Sequence, residues 1–479
     1  MNGEPLIAGP ESTVYLIRKF VKRKRALVTG IAAVLFVLVA GIVVSTVLAI
    51  GQARARAEAQ LVTNFLNMDV LRSARYIKGR EATVIDIFSA AAKLDDGKFR
   101  ERPLVEASIR EMLGGTYFNL GYYALAAQHQ KSVYRIYAEQ LGENHWKTGN
   151  ALNWLAVCYY HVGMYREAEP LYKQVIEEAR HHKSGFMVDY KSAWNANLGT
   201  TYAGLGRYEE AEQLVRKSLE DVTWANQSTW AMYGHHMGEI YREQGKYVEA
   251  EHVLLKTLEA GRHWQKEQYD SQNPSGMVRC LNELGLLYLA QGRDKEAEEL
   301  FEQGIDLGAR ELTGKDHPHM LRCVNGLAII RIKQQRFEEA KTLLERVLAG
   351  RKLKLGEDHP ETIKTINDLG LLYREQKLYG EAEKFLTEAL EGRKIKLGPD
   401  HPHTLESIHE LGILYKELSL YDEAEKLLLE AVNGRRLKLG DTHPHTIESM
   451  NNLIPLYEAW NKPERAKELR TKLPKQKLR

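Results

Sequence analysis

A 14-residue pattern recurs nine times along this 479-residue chain and constrains its fold more than any other feature. The segment LGLLYREQKLYGEA begins at Leu369, LGILYKELSLYDEA at Leu411 and LGLLYLAQGRDKEA at Leu284. Looser copies extend the series, with starts 39 to 47 residues apart, at Leu113, Leu155, Leu198, Met237, Leu327 and Leu453. This recurrence is typical of one supersecondary unit stacked many times.

Each copy predicts a pair of amphipathic helices. Ile366, Leu369 and Tyr373 are spaced as one helical face, and a turn such as LGR at residues 205–207 precedes a second helix. A single pair cannot bury its own apolar faces, so we expect an all-α, right-handed solenoid of about nine pairs. An alanine thirteen residues after each start allows close helix approach: Ala126, Ala168, Ala211, Ala250, Ala297, Ala340, Ala382, Ala424 and Ala466.

The pattern carries a family resemblance. Leu369, Gly370, Tyr373, Ala382 and Ala389 resemble the tetratricopeptide repeat. The period near 42 residues is similar to the kinesin-light-chain type of this repeat, as is the loop GEDHPET at residues 356–362, which returns as GKDHPHM, GPDHPHT and GDTHPHT. The resemblance covers residues 103–469. It implies a solenoid that binds a protein or peptide in a concave groove.

A membrane-spanning helix is predicted near the N-terminus. An uncharged run of 25 residues begins at Ala26 and ends at Ile50, long enough to cross a hydrocarbon core of about 30 Å. A cleaved secretory signal, the alternative, has a shorter apolar region. Six basic residues precede the run closely and two follow it. This distribution predicts a single-pass protein of the inner membrane, with its N-terminus in the cytoplasm and its repeats on the extracytoplasmic side.

The flanks of this run carry a second resemblance. AGPESTVYLIRKFVKRKR before it and VIDIFSAAAKLDDGKFRERP after it resemble the region that follows the catalytic domain in bacterial transmembrane serine/threonine kinases with tetratricopeptide tails. Only 25 residues precede the run, and the sequence lacks the kinase glycine-rich loop, HRD-type loop and DFG triplet. We therefore expect a non-catalytic chain. The alternative to a membrane-anchored scaffold is the non-catalytic half of a split receptor that acts through a partner kinase.

These observations divide the chain into five segments. We expect a basic cytoplasmic tail at residues 1–25, the membrane helix at 26–50 and a helical connector at 51–102. The repeat solenoid follows at 103–470 and a basic tail at 471–479. The net charge of +3 makes nucleic acid an unlikely partner. No cofactor signature is present.

One slot of the first helix is the candidate binding site. Polar residues recur two positions before the repeat starts, although asparagine is a mediocre helix former. The family resemblance implies that this slot faces the groove, where an amide can pair with a peptide backbone. The alternative is that the asparagines bond to a neighbouring helix. The candidate residues are Asn153, Asn282, Asn325, Asn367, His409 and Asn451.

Two further sets of polar residues have structural explanations. Histidines recur beside the loop prolines as His-x-His and could bind zinc, but proline and neighbouring acids suit a helix start better. Basic residues such as Arg351 and Arg393 recur near the ends of second helices, where solvated capping is expected.

Tryptophans in the less regular middle could serve either a partner surface or the core: Trp146, Trp154, Trp194, Trp224, Trp230 and Trp264.

Overall fold

The computed structural model describes residue 99 and residues 101–180, 191–220, 226–267, 274–312 and 316–473. The elements in these ranges are eighteen α-helices, arranged as nine consecutive pairs. The first five pairs are α1 (Pro103–Asn119) with α2 (Tyr123–Leu141), α3 (Trp146–His161) with α4 (Tyr165–Arg180), α5 (Lys191–Gly204) with α6 (Tyr208–Glu220), α7 (Asn226–Glu243) with α8 (Tyr247–Glu267), and α9 (Pro274–Ala290) with α10 (Asp294–Glu311). The other four are α11 (Pro318–Lys333) with α12 (Phe337–Leu355), α13 (Pro360–Glu375) with α14 (Tyr379–Lys396), α15 (Pro402–Glu417) with α16 (Tyr421–Leu439), and α17 (Pro444–Ala459) with α18 (Pro463–Lys472).

Each sequence repeat corresponds to one of these helix pairs, so the all-helical solenoid prediction is confirmed. The alanine thirteen residues after each repeat start lies in the second helix and is at most 1% exposed in all nine copies. A larger side chain there would separate the two helices of the pair. The predicted membrane helix at residues 26–50 lies outside the described residues. Among the helices within them, none is both long and apolar enough to cross a membrane.

The tyrosine that recurs four residues after most repeat starts also links neighbouring pairs. The hydroxyl of Tyr415 donates to Glu383 of the preceding pair at 2.9 Å, and that of Tyr457 donates to Glu425 at 2.7 Å. Tyr288 makes the equivalent bond to Glu251 at 2.9 Å. The sequence pattern therefore encodes contacts between pairs as well as contacts within them.

The turn inside each pair needs a residue in the left-handed region. In the first five pairs this residue is a glycine with φ between +71° and +79°: Gly121, Gly163, Gly206, Gly245 and Gly292. In the last four pairs it is Gln335, Lys377, Ser419 or Asn461, with φ between 53° and 61°. The backbone conformation alone therefore does not require glycine in this slot.

A second constraint acts on the first four glycines. A Cβ atom on Gly121 or Gly163 would lie 2.4 Å from the Cδ atom of Pro318 or Pro360, respectively. Gly206 and Gly245 face Pro402 and Pro444 in the same way, at 2.8 and 2.6 Å. No such neighbour lies within 4 Å of a Cβ on Gly292. The solenoid is wound tightly enough for pairs six to nine to touch pairs one to four.

The loop histidines hold these successive turns of the solenoid together. His359 is the N-cap of α13, where its Nδ1 accepts from the amide of Glu361 at 3.0 Å. Its Nε2–H donates to the carbonyl oxygen of His161, the last residue of α3, at 3.0 Å. His401 and His443 repeat both contacts, donating to Gly204 at 3.2 Å and to Glu243 at 2.8 Å. The bonded residues lie 197 to 200 positions apart in sequence.

Candidate functional site

The structure places the candidate asparagine slot between neighbouring first helices. Asn325 donates to Asp368 at 2.6 Å, and Asn367 accepts from the Ser407 hydroxyl at 2.9 Å. Both asparagines are buried. In the next pair His409 occupies the slot, and its Nδ1 lies 3.1 Å from the Ser449 hydroxyl. These contacts correspond to the stacking alternative, and ligand binding by this slot stays a prediction.

The remaining members of the slot differ from one another. Asn282 is buried and donates to Glu283 at 3.0 Å, while its Oδ1 has no partner among the described residues. Asn153 is half-buried, with an Oδ1 that also lacks a partner there. Asn451, in the last repeat, is exposed. One sequence slot therefore corresponds to three different environments.

The expectation of solvated caps is wrong for the arginines near the ends of the second helices. Arg351 is 1% exposed and donates to Thr365 and to Glu361 of the next first helix, both at 2.7 Å. Arg393 and Arg435 are also buried, each hydrogen-bonded to a serine of the next first helix at 2.8 and 2.6 Å. The guanidinium reaches across to the next repeat because its long fork can satisfy buried polar groups there.

The face formed by the first helices encloses a cavity of about 490 Å³. Because six consecutive first helices line it, this is the concave face of the solenoid. Trp154 and Met232 lie at its exposed edge, with 37% and 40% of their surface accessible. Trp194, in contrast, is fully buried, so the tryptophans divide between core and surface. One lining residue from each of the six helices is Phe118, Trp154, Asn197, His236, Arg279 and His319.

The cavity wall is rich in aromatic and imidazole side chains. The rings of His235 and His236 lie 4.1 Å apart, and Tyr123 lies 4.6 Å from His161, measured between centroids. The Tyr123 hydroxyl lies 3.5 Å from Nε2 of His319, which joins the first pair to the sixth. Neither nitrogen of His235 has a hydrogen-bond partner among the described residues. Both nitrogens of His235 are therefore buried atoms without a partner among the described residues.

Burial keeps these imidazoles neutral. Desolvation, reinforced by the nearby positive charge of Arg279, holds the pKa of His161, His235 and His236 well below its usual range. Burial lowers the pKa of His319 as well. At neutral pH each ring therefore has one N–H donor and one acceptor nitrogen.

Arg279 is the cation of this cavity. It is 7% exposed, and one terminal nitrogen donates to Nδ1 of His236 at 3.2 Å. A guanidinium can only donate, so Nδ1 of His236 is the acceptor and its proton is on Nε2. Two arginines of neighbouring first helices, Arg242 and Arg322, have carboxylate partners: Arg242 contacts Glu283 at 3.1 Å, and Arg322 contacts Glu361 at 3.0 Å.

Sequence reasoning missed Arg279, although a signal was present. It lies five residues before a repeat start, where the next four repeats have Arg322, Lys364, Glu406 and Glu448. Charged residues repeated inside a buried helix face indicate an interior ion network rather than a solvated surface. The first histidine of each loop pair acts instead as a helix cap, and His401 and His443 also donate to the preceding turn. The described residues contain no group of three or more potential metal ligands.

Comparison with protein families places known models over much of the chain. One model, described as tetratricopeptide repeat, matches residues 105–180, 228–310, 276–353 and 320–395, more than half of the chain. A second model with the same description matches residues 196–221 and 404–445. A comparison with curated proteins found no match.

Several solved structures are similar to this chain. A putative kinesin light chain of Podosopora anserina with nearly identical TPR-like repeats is 29% identical, with 42% of this chain and 95% of that chain covered and a TM-score of 0.34. NprR in complex with its cognate peptide NprX is 17% identical, with 67% and 86% covered and a TM-score of 0.49. A Rap protein complexed with Competence and Sporulation Factor is 13% identical, with 68% and 96% covered and a TM-score of 0.47.

Proposed function

Because this chain belongs to the tetratricopeptide repeat family, we propose that it is a non-catalytic scaffold that binds a protein or peptide segment on its concave face. The observation that supports this most directly is the cavity lined by the first six first helices, whose wall combines aromatic and polar side chains. Binding sites combine apolar walls with a few convergent polar groups, and this wall has both.

The edge of the cavity suits an extended segment. Trp154 packs edge-on against Phe118, with ring centroids 5.6 Å apart, and still exposes more than a third of its surface. Large aromatic side chains of this kind commonly anchor protein interfaces. The buried Asn325 joins α11, the last first helix of this face, to α13, and Asn367 joins α13 to α15.

Site-specific photo-crosslinking tests the proposed face. A photoreactive amino acid replaces Met232 at the cavity edge or, as the control, Val248 on α8, which is 79% exposed. We expect the first variant to crosslink a defined protein or peptide in cells and the second to give only background. Equal crosslinking from both positions, or none from Met232, would refute the concave face as the binding surface.

We further propose that residues 26–50 anchor the chain in a bacterial inner membrane, with the N-terminus cytoplasmic and the repeats extracytoplasmic. The uncharged length of this run and the basic residues before it support the proposal. The resemblance of its flanks to transmembrane kinases favours a second function, regulation of a partner kinase. Reporter fusions at both ends test the orientation, and retention after alkaline extraction tests the anchor. Release of the chain by alkali would contradict it.

A further inference from the structure

A second cavity lies on the outer face of the solenoid, between the fourth and fifth pairs, and has a volume of about 540 Å³. Its walls are the second helices α8 and α10, and its floor is the first helix α9. Because the first helices form the concave face, a groove between two second helices opens on the opposite side. This outer groove lies where the repeat spacing is longest, with 47 residues from Met237 to Leu284.

The floor of the outer groove and part of its walls are apolar. Leu284 and Tyr288 form the floor, and Leu258 and Leu300 belong to the two walls. Leu255, at the edge of α8, leaves 47% of its surface accessible. It lies eighteen residues after the repeat start, where seven of the nine repeats have lysine, arginine, glutamate or threonine. The groove is therefore apolar at a position that most repeats keep polar, as expected of a contact surface.

Each wall also has a carboxylate at its rim. Glu259 on α8 and Glu299 on α10 are both exposed, and neither forms an ion pair within the described residues. Glu296, at one end of the α10 wall, is paired with Arg293 at 2.5 Å. Arg262 is the cation among the lining residues. Unpaired negative charge thus lies on both sides of an apolar floor.

We propose that the outer groove binds an amphipathic helix of a partner protein, with an apolar stripe flanked on both sides by lysine or arginine. This surface lies opposite the concave face, and the proposal does not depend on the function of that face. The lysines or arginines would complement Glu259 and Glu299, and the apolar stripe would cover Leu284 and Tyr288 on the floor.

The shape of the groove favours a helix over an extended segment. The lining residues of each wall are spaced by three or four positions over eight residues, so each wall is about 10 Å long, or two helical turns. Both walls are helices whose backbone groups are already paired, so they offer no hydrogen bonds to the backbone of an extended segment. A helix pairs its own backbone and places residues i, i+3, i+4 and i+7 along such a groove.

Three bridged fourteen-residue model peptides, each held helical by a side-chain link, test the proposal. The first has a leucine stripe flanked by lysines, the second has the same stripe flanked by glutamates, and the third has the composition of the first in an order without a stripe. Fluorescence anisotropy measures Kd against the full chain in nanodiscs of zwitterionic lipid at about 150 mM salt, with empty nanodiscs as the blank. We expect the first peptide to bind at least tenfold tighter than either of the others. A smaller preference, or binding of none of the three, would overturn the proposal.

Reversal of the two rim charges supplies the matched test. Glu259→Lys combined with Glu299→Lys should weaken the lysine-flanked peptide at least tenfold and make the glutamate-flanked peptide the tighter ligand, because like charges then face each other. Glu338→Lys combined with Glu345→Lys is the control, since these acids are exposed on α12, outside the groove. An unchanged preference in the first variant, or the same reversal in the control, would overturn the site.

A second substitution tests the apolar wall. Leu255→Gln should weaken the lysine-flanked peptide about tenfold. The control Leu429→Gln changes the same repeat position on α16, where the leucine is 38% exposed, and should leave Kd unchanged. Equal effects of the two substitutions would overturn the role of the groove. The preference among peptides is measured on the natural chain, so it decides the matter even if a variant fails to fold.

Discussion

Replacement of Gly163 by alanine should break the contact between successive turns of the solenoid. The new Cβ would lie 2.4 and 2.9 Å from Cδ and Cγ of Pro360, where carbon atoms normally stay about 3.5 Å or more apart. The proline ring cannot rotate away, so one turn must move by about 1 Å from the other. That movement would also strain the bond from His359 to the His161 carbonyl.

Gly292→Ala is the matched control. Gly292 has nearly the same φ, +75° against +79°, but nothing lies within 4 Å of its added Cβ. Left-handed strain of about 1–2 kcal/mol, partly offset by a stiffer unfolded chain, gives a net loss of about 1 kcal/mol for the control. Gly163→Ala adds overpacking of about 1–3 kcal/mol and a hydrogen bond of about 1 kcal/mol. The difference between the variants should be about 2–4 kcal/mol.

Hydrogen–deuterium exchange on the full chain measures this difference locally. Amides at residues 361–365, at the start of α13, should exchange at least thirtyfold faster in Gly163→Ala, the factor that corresponds to about 2 kcal/mol. The same amides should be unchanged in Gly292→Ala. Equal protection at α13 in both variants would show that the turns do not depend on this contact and would refute the argument.

Three further predictions concern the polar contacts. His359→Asn keeps the N-cap but removes an imidazole whose pKa burial lowers to about 4. The natural chain's stability advantage over this variant should be complete above pH 6.5 and should shrink by about 3 kcal/mol as the pH falls to about 4, because the unfolded chain takes up the proton more readily. Unfolding curves that stay parallel over this pH range would contradict the argument. In urea titrations, Asn367→Ala should lower the free energy of unfolding by about 1–3 kcal/mol. The control Asn451→Ala, at an exposed position, should lower it by less than about 0.5 kcal/mol. Equal losses would refute the stacking role. Burial raises the pKa of Tyr415 to about 12. The natural chain should therefore lose stability relative to Tyr415→Phe between pH 10 and 12. A stability difference that stays constant over this range would count against the tyrosine contact.

The repeat unit itself was predictable because its determinants are local. Apolar residues at helical spacing form the helix faces, and the small residue at Ala382 acts between the two helices of one pair. The proline at the first position of α13 starts that helix. The nine pairs therefore follow from the period of the sequence. Pro360 indicated the start of α13, but the sequence attributed its capping to neighbouring acids, whereas the structure shows the His359 side chain as the N-cap.

The candidate site was less predictable from its residue types. Asn153, Asn367 and Asn451 occupy one sequence slot but are half-buried, buried and exposed, respectively. Arg279 and Arg322 share another slot, yet only Arg322 pairs with carboxylates of the described chain. The bonded partners of Asn367 and Arg322 lie in the next repeat, so no single repeat contains that information.

The sequence by itself determined the helix pairs and their stacking, since each step depends on contacts within about 40 residues. Only the tertiary structure decided which repeats meet across the solenoid, because that depends on small rotations between pairs summed over several repeats. His359 bonds to a carbonyl 198 residues earlier, and Gly163 faces Pro360 for the same reason. The same winding brings six first helices, one of which carries Arg279, around one cavity.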